Sequence, residues 1–406
     1  MPVQSRSPRL ADPGSTEPGA ARLSLLYAVV FVEIGIAMPF MPVWLNALGL
    51  DARVIGALLA LPIAIRIVAT APLMGLIDRG LSARRLIVAG SLALAATYAL
   101  MPAGATVGWW VLAVLIALNA VAGASLVPSI DYLTLAAVRA SHRLDYARIR
   151  MAGSIGFLAA SLAGGLLLDA FGERPAIPWL LTGLAVIAAL TAIAARVPTP
   201  VAVAVTRETG RPRLPAVLWI AVAAAAAIQA SHGAIYAFAS IHWGAHGISA
   251  PWIGVLWAIG VVAEIVLFWL IGRAPAAWRT PFRLIGIGGA AAVLRAVGMA
   301  LFGDRLGPVL ALQLLHGFTF GATQLGAMAA VSRFAPEGAR GRAQGTFSSC
   351  NALASAVSTL MSGLAYAAGG GILAFLLMAP LALAGLLLAG LGQRRAGREA
   401  FTTPRL

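Results

Sequence analysis

The sequence is short of cysteine, lysine and charge. Its single cysteine, Cys350, lies inside an apolar run, which excludes an intramolecular disulfide, a cysteine-based metal site and a dithiol redox pair. Only 11% of the 406 residues are charged, whereas charged residues approach a quarter of an ordinary soluble domain. Because 60% of the residues are hydrophobic, the composition predicts a membrane protein with enough apolar length for about twelve spanning helices.

The apolar runs also lack the common motifs of enzymes. They contain no His-Glu-x-x-His, no Gly-x-Ser-x-Gly and no paired aspartates. We therefore expect neither an enzyme nor a metal centre, and no cofactor beyond a proton gradient. The net charge of +15 would favour nucleic acid in a soluble protein, but all 29 basic residues are arginines clustered between apolar runs. We interpret them as topology signals for a protein whose partners are the lipid bilayer, a small solute and protons.

Twelve apolar runs predict spanning helices, called spans 1 to 12 below. In this frame 24 arginines lie in the tails and loops on the side of both termini, and only three lie on the other side. The positive-inside rule then predicts a multi-pass protein of the inner (plasma) membrane with both termini in the cytoplasm. The predicted spans are near 24–46, 54–76, 86–104, 109–138, 149–170, 177–195, 216–243, 252–272, 282–303, 308–332, 343–367 and 371–392.

The chain divides into two similar halves. Arg148–Gly153 before span 5 is similar to Arg340–Gly345 before span 11, and an Ile-Gly pair opens both span 2 and span 8. The pattern predicts an all-α membrane protein with twelve transmembrane helices in a 6+6 bundle, the architecture of a rocker-switch transporter with a central site. We expect a monomer. The predicted parts are a disordered cytoplasmic tail (1–22), an N-terminal half (23–196), a cytoplasmic linker (197–215), a C-terminal half (216–392) and a second tail (393–406).

Ionisable residues inside the spans are the main candidates for function. Each costs at least about 2.5–3.5 kcal/mol to insert, so such side chains normally face a cavity or a partner. A carboxyl group in a low-dielectric cavity can hold a proton at neutral pH, which suits proton coupling, whereas the structural alternative is static pairing between helices. Three acids oppose three arginines, and they are Glu33, Asp131, Glu264, Arg66, Arg150 and Arg295.

Glu264 is the first candidate for proton coupling, since its helix face also carries aromatic side chains suited to an apolar solute. Asp131 follows Pro128 by three residues, where a kink would open the helix, and we expect it to pair with Arg150. Polar stripes on spans 7 and 10 predict a wet cavity, with His316 as a proton relay, although a helix-to-helix hydrogen bond is the alternative. The predicted proton-coupling residues are Glu264, Asp131 and His316, and the predicted substrate-binding residues are Arg295, Gln313, Tyr236, His232, Gln229, Trp257, Glu33 and Arg150.

Between spans 2 and 3, the sequence Gly75-Leu76-Ile77-Asp78-Arg79-Gly80, followed by Arg84-Arg85, resembles the loop motif of the major facilitator superfamily. Its charged side chains are able to form ion pairs that latch the two halves together on the cytoplasmic side. We therefore expect gating to involve Gly75, Asp78, Arg79 and Arg84; the alternative is that these arginines only fix topology.

Four further stretches resemble the phenylpropionate permease branch of that superfamily, near lactose permease and the nucleoside symporters. They are Pro39–Leu45, Leu144–Ser154, Gly260–Glu264 and Leu314–Gly321. The resemblance implies proton-coupled uptake of a small organic solute, with an aromatic carboxylate such as 3-phenylpropionate favoured. It also implies that Glu264 contributes to substrate binding, and that Asp131 and Arg150 match the positions of a sugar-binding pair.

The leading hypothesis is alternating access, in which a proton neutralises Glu264 and releases Arg295 to hold an anionic substrate. A sugar or nucleoside symporter would use the same acid and histidine to bind hydroxyl groups. An efflux antiporter for drugs or metabolites would exchange a cation for protons at Glu33 and Asp131. The Gly-Pro antiporter motif expected in span 5 is absent, however, since no proline lies between Gly153 and Leu168. A non-transporting sensor is a further alternative.

Overall fold

The computed structural model of the protein describes residues 18–141, 144–195, 213–336 and 339–402, and within these ranges every regular element is helical. The predicted all-α fold is confirmed. The helices are α1 (Pro18–Ala47), α2 (Ala52–Asp78), α3 (Ala83–Val107), α4 (Trp109–Gly123), α5 (Leu126–Ala140), α6 (Tyr146–Phe171), α7 (Glu173–Ala194), α8 (Ala216–Ala230), α9 (Gly233–Ala245), α10 (Ala250–Arg273), α11 (Pro281–Phe302), α12 (Leu306–Leu314), α13 (Thr323–Phe334), α14 (Arg340–Leu376) and α15 (Met378–Thr402).

Ten segments within the described ranges are long and apolar enough to cross a membrane. The last of them, Arg340–Arg398, has 59 residues, which is enough for two crossings, and it breaks at Gly369–Gly370, where Gly370 has φ +62°. A further rod is built from α12, a π turn over Gly317–Ala322, and α13. This layout is consistent with the twelve predicted spans.

Aspartates in the loops cap the first turns of two helices. The side chain of Asp51 accepts from the backbone N–H of Arg53, at 2.8 Å, before α2. Asp145 accepts from the N–H of Arg148, at 2.9 Å, before α6. Each oxygen satisfies a donor that the first helical turn leaves free.

Span 4 is broken between α4 and α5, close to the predicted proline kink. Pro128 has no N–H to donate to the carbonyl oxygen of Ala124, four residues earlier. The hydroxyl of Thr70 on α2 donates to the carbonyl oxygen of Arg66, at 2.7 Å, and also lies 3.3 Å from the freed carbonyl oxygen of Ala124. A polar side chain of a neighbouring helix therefore lies beside the freed acceptor.

The helix surfaces that face away from the bundle are apolar, as expected where lipid replaces water. Large exposed apolar side chains occur on many of the helices, among them Leu92, Leu100, Val114, Leu162, Leu166, Leu190, Leu294 and Leu387. The buried core is mostly leucine, isoleucine, alanine and aromatic residues.

The two halves approach each other through glycines. We call the end of the bundle near both termini the inner end and the opposite end the outer end. A Cβ atom on Gly56 of α2 would lie 2.7 Å from the Cα of Gly363 on α14, and one on Gly254 of α10 would collide with the carbonyl oxygen of Ser161 on α6. Gly165 makes a similar approach to the backbone at the start of α10. These contacts lie toward the outer end, where the two halves therefore touch.

The predicted tails and linker are only partly described. Residues 1–17 of the first tail, 196–212 at the linker and 403–406 of the last tail lie outside the described residues. Helix α1 begins at Pro18, within the segment predicted as a disordered tail, and α15 continues to Thr402. The described parts of both tails are therefore helical extensions of the adjoining spans.

Candidate functional site

The N-terminal half carries Asp131 on α5, just beyond the broken turn. Three donors converge on its Oδ1: the hydroxyl of Tyr27, the hydroxyl of Tyr146 at 2.9 Å, and Nη1 of Arg150 at 3.5 Å. Tyr27 is fully buried, whereas the side chains of Arg150 and Asp131 remain 43% and 30% exposed. The guanidinium also lies 5.6 Å from the ring centre of Phe31. The predicted Asp131–Arg150 pair is present, and it is open to solvent between the halves.

In the C-terminal half, span 7 is broken between α8 and α9, and His232 lies at the break. Its Nδ1 is 3.2 Å from the carbonyl oxygens of both Ile228 and Gln229, and its Nε2 is 2.8 Å from Oγ1 of Thr319. Carbonyl oxygens only accept, so Nδ1 carries the proton and Nε2 of the neutral ring accepts from the threonine hydroxyl. His232 is 2% exposed, so it is a buried hydrogen-bonded link between spans 7 and 10.

Span 10 contains the π turn immediately after His316. A Cβ atom on Gly317 would lie 2.5 Å from the carbonyl oxygen of Ala263, so only glycine permits α10 to pack this closely. A π turn accommodates one more residue per turn than the α-helix and thereby changes which face the following side chains occupy. This turn places His316 and Thr319 where they contact two other helices.

Arg295 on α11 is the most deeply buried charged side chain of the site, at 2% exposed. Its Nη2 donates to Oε1 of Gln313, whose Nε2 in turn donates to the carbonyl oxygen of Leu256 at 2.9 Å. Its Nη1 lies 3.2 Å from Nδ1 of His316. Its Nε has no hydrogen-bond partner among the described residues, and no acid there lies within ion-pair distance. The guanidinium charge is therefore balanced only by neutral groups.

His316 is oriented by this arginine. A guanidinium only donates, so Nδ1 of His316 accepts and the proton of the neutral ring lies on Nε2. The ring stacks on Phe320 with 5.5 Å between ring centres, and its edge meets Tyr236 at 6.4 Å. His316 is less buried than Arg295 and lies between the arginine and the aromatic wall, with its Nε2–H available as a donor.

An aromatic wall lies beside His316. The ring of Tyr236 stacks between those of His232 and Trp257, with centre-to-centre distances of 5.4 and 5.9 Å. Nε1 of Trp257 donates to Oγ of Ser240 at 2.9 Å, which fixes the indole. A cluster of aromatic rings such as this one suits contact with an apolar group.

Glu264 on α10 is half-buried and makes no hydrogen bond or ion pair with a described residue. Its Cγ lies against Gly321 of the π turn. The charged groups that influence it include Arg150 of the opposite half. The expected pairing of Glu264 with Arg295 is therefore wrong in this conformation, because Gln313 and His316 occupy the arginine instead.

Two other sequence-based candidates are more buried than expected. Glu33 is 5% exposed and accepts at Oε1 from the hydroxyl of Tyr98, at 2.9 Å. Arg66 affects it electrostatically but forms no ion pair with it. Gln229 is 4% exposed, and its Nε2 has no partner among the described residues.

The predicted latch is not formed in this conformation. Asp78 and Arg79 are exposed at the inner end of α2, and Asp78 makes no hydrogen bond or ion pair with a described residue. Nη1 of Arg84 lies 3.4 Å from the carbonyl oxygen of Ile193, within the same half. A Cβ atom on Gly75 would meet nothing. The halves are in contact toward the outer end, whereas the side chain of Arg150, near the inner end, is 43% exposed.

Tyr27, Tyr98, Tyr146 and Thr319 were not identified from the sequence, although each bonds a predicted site residue. Helical spacing shows which residues share a face, but it does not show which residues of distant helices meet. Tyrosines in spans 1 and 3 were a usable signal, since a buried tyrosine hydroxyl normally finds a partner.

Comparisons with known proteins agree with the architecture. Residues 20–377 match the MFS_1 like family. The chain is 30% identical over 317 residues to the probable 3-phenylpropionic acid transporter of Escherichia coli (strain K12), covering 75% of this chain and 80% of that protein. In structure it is similar to nucleoside transporter NupG, with a TM-score of 0.74, 17% identity and coverage of 92% and 98%. It is also similar to a bacterial homolog of the human lysosomal transporter Spinster in an inward-facing and occupied conformation, with a TM-score of 0.72, 15% identity and coverage of 94% and 98%.

Proposed function

The chain belongs to the MFS_1 like family of transporters, and from that premise we propose that it takes up a small aromatic carboxylate together with protons. As a member of this family it is a multi-pass membrane transporter and not an enzyme. What we propose beyond the family is the substrate class (an aromatic carboxylate), the coupling ion (the proton) and the direction (uptake). We also propose that both termini lie in the cytoplasm, because the arginine clusters lie on their side.

The observation that carries the substrate class is the unbalanced charge of Arg295. A buried cation normally has an acid close by, since an unpaired buried ion costs several kcal/mol. Here the guanidinium meets only Gln313 and His316. A carboxylate arriving from the open space would supply the missing negative charge. The E. coli relative is named as a probable transporter of 3-phenylpropionic acid, which is an acid of this kind.

The arginine is too deeply buried to hold the substrate directly, so His316 mediates the contact. Its Nε2–H points away from Arg295 and donates to a substrate carboxylate, and the arginine charge behind the ring strengthens that bond. The rings of Tyr236, Trp257 and Phe320 then receive the apolar part of the molecule. The sequence predicts direct contact between Arg295 and the substrate carboxylate. The proposed arrangement differs because Gln313 and His316 already occupy the guanidinium.

Proton coupling is assigned to Glu264. The acid has no fixed partner among the described residues, lies beside the π turn that follows His316, and is close enough to Arg150 of the opposite half to interact with it electrostatically. In its neutral form it does not repel an incoming carboxylate. In its charged form it attracts Arg150 and repels the substrate carboxylate. Binding of substrate and proton therefore favour each other, which is the requirement for symport.

The test is uptake of labelled 3-phenylpropionate into proteoliposomes, with and without an inward proton gradient. We expect accumulation that depends on the gradient. His316→Phe keeps the ring but removes the donor, so it should lower affinity on the order of tenfold, given about 1.5–3 kcal/mol for a hydrogen bond to a charged group.

The matched control is Glu173→Gln, which removes an exposed acid at the outer face and should leave uptake unchanged. Absence of uptake by the wild type, with uptake of a nucleoside under the same gradient, would overturn the carboxylate assignment. Wild-type affinity in His316→Phe would overturn the role of the histidine.

A further inference from the structure

A second cluster of chemistry-bearing side chains lies at the outer end of the C-terminal half, away from the proposed transport site. A cavity of about 320 Å³ is bordered by His242, His246, Asp304 and Tyr366, and by the glycines of the break in α14. Nothing in the proposed transport cycle uses these histidines. They lie four residues apart at the end of α9, so both project from the same face of the helix.

The two imidazoles are arranged as ligands. Their ring centres are 4.2 Å apart. Nδ1 of His246 lies 2.7 Å from the carbonyl oxygen of His242, so that nitrogen carries the proton and Nε2 keeps a free lone pair. Donation of the second ring N–H to a backbone carbonyl is the arrangement that metal-binding histidines normally have.

His242 is 7% exposed, yet neither of its ring nitrogens has a hydrogen-bond partner among the described residues. Its ring is held between Gly303 and Gly371, where a Cβ atom on Gly371 would collide with Nδ1. The adjoining cavity, which His242 lines, is therefore the place for a polar partner of this ring.

We propose that His242 and His246 bind one divalent transition-metal ion of the Zn²⁺ or Cu²⁺ class at the outer face. Imidazole nitrogen is a preferred ligand of these ions, and two rings this close are able to direct one nitrogen each at a shared ion. No group of three metal-ligating side chains occurs in the described ranges, so water completes the coordination. Asp304, which borders the same cavity, and the negative end of the α9 dipole both favour a cation there.

The test uses the full chain in detergent, purified with a tag that contains no histidine, and Cu²⁺ as the probe. We expect one tightly bound Cu²⁺ whose electron paramagnetic resonance spectrum shows two equatorial imidazole nitrogens, and displacement of that ion by Zn²⁺. His246 is exposed, so His246→Ala should fold normally and bind Cu²⁺ at least tenfold more weakly.

Glu173→Gln, at the same face but outside this cavity, is the matched control and should bind as the wild type does. Equal binding by the wild type and His246→Ala would overturn the proposal, as would a spectrum with fewer than two imidazole nitrogens. Transport activity is not part of the readout, so the result is independent of the substrate assignment.

Discussion

At the scale of single residues, the donors around Asp131 are unequal. The hydroxyl of Tyr27 is fully buried, whereas Tyr146 and Arg150 reach solvent. We expect Tyr27→Phe to lower the free energy of unfolding by about 1–3 kcal/mol, because the charged carboxylate loses its only fully buried hydrogen-bond donor. Tyr146→Phe should have a smaller effect, because water is able to replace its hydroxyl. Thermal unfolding of the two purified variants, followed by intrinsic fluorescence, makes the comparison. Equal losses would contradict the dependence on burial.

Glu33 gives a second residue-scale prediction. Glutamine at this position keeps an acceptor for the Tyr98 hydroxyl, so Glu33→Gln should remain close to wild type in both stability and uptake. Glu33→Leu strands the buried hydroxyl and should lose about 1–3 kcal/mol of stability. The same fluorescence and uptake assays decide the outcome. Loss of uptake in a stable Glu33→Gln would instead support the substrate-binding role suggested by the sequence.

The residues show which contacts a sequence reveals. The Asp131–Arg150 pair was predictable because Pro128 marks an opened helix and because the two residues match the positions of a sugar-binding pair in the family that the sequence resembles. The partner of Arg295 was not. Gln313 and His316 share its neighbourhood only because α11 packs against span 10, and helical periodicity carries no information about packing between helices. The metal site proposed at His242 and His246 was equally unpredictable from sequence, since the proposal depends on the cavity beside them.

At the scale of helices, the outer contact depends on glycine. A Cβ atom on Gly56 would lie 2.7 Å from the Cα of Gly363, and backbone atoms cannot move aside as a flexible side chain can. We therefore expect Gly56→Val to hold the halves apart at the outer end. Spin labels at positions 173 and 245, one on each half, should then report a longer distance by electron–electron double resonance.

The control for this experiment is Gly183→Val on α7, because a Cβ atom there meets nothing within 4 Å. Both variants change a helical glycine to valine and so share the same change in helix propensity. Replacement of Cys350 by alanine leaves only the introduced cysteines for labelling. The same label distance in Gly56→Val and Gly183→Val would contradict the glycine contact.

Helix breaks were predictable where proline causes them. Pro128 indicated the break in span 4, where the hydroxyl of Thr70 lies 3.3 Å from the freed carbonyl oxygen of Ala124. The break in span 7 and the π turn in span 10 have no proline, and they depend instead on contacts such as that of Gly317 with Ala263. Glycine in an apolar helix is also common at ordinary packing contacts, so these two breaks could not be identified from sequence.

At the scale of the whole molecule, the twelve apolar runs and the arginine clusters predict topology. In a Cys350→Ala background, a cysteine at exposed position 245 should react with a membrane-impermeant maleimide added to intact cells. A cysteine at Gly80, in the loop that resembles the superfamily motif, should react only after the membrane is opened. The reverse pattern would contradict the predicted cytoplasmic position of both termini.

Two halves that meet at the outer end and separate at the inner end are one state of an alternating-access cycle. The exposed Asp78 and the absence of its ion pair fit this state, since a latch at the inner end would be broken when the bundle opens there. In this state Glu264 and Arg150, on opposite halves, interact electrostatically without forming an ion pair. Closure of the inner end would bring the halves together around the substrate.

Glu264 is the residue proposed to couple the proton to the substrate, and a comparison of the wild type with Glu264→Gln tests this role. Proteoliposomes containing wild-type protein or Glu264→Gln would be assayed for 3-phenylpropionate accumulation under an inward proton gradient and for exchange without a gradient. We expect Glu264→Gln to retain exchange, because a neutral side chain mimics the protonated acid, and to lose gradient-driven accumulation. Accumulation by Glu264→Gln equal to that of the wild type would rule out Glu264 as the coupling residue.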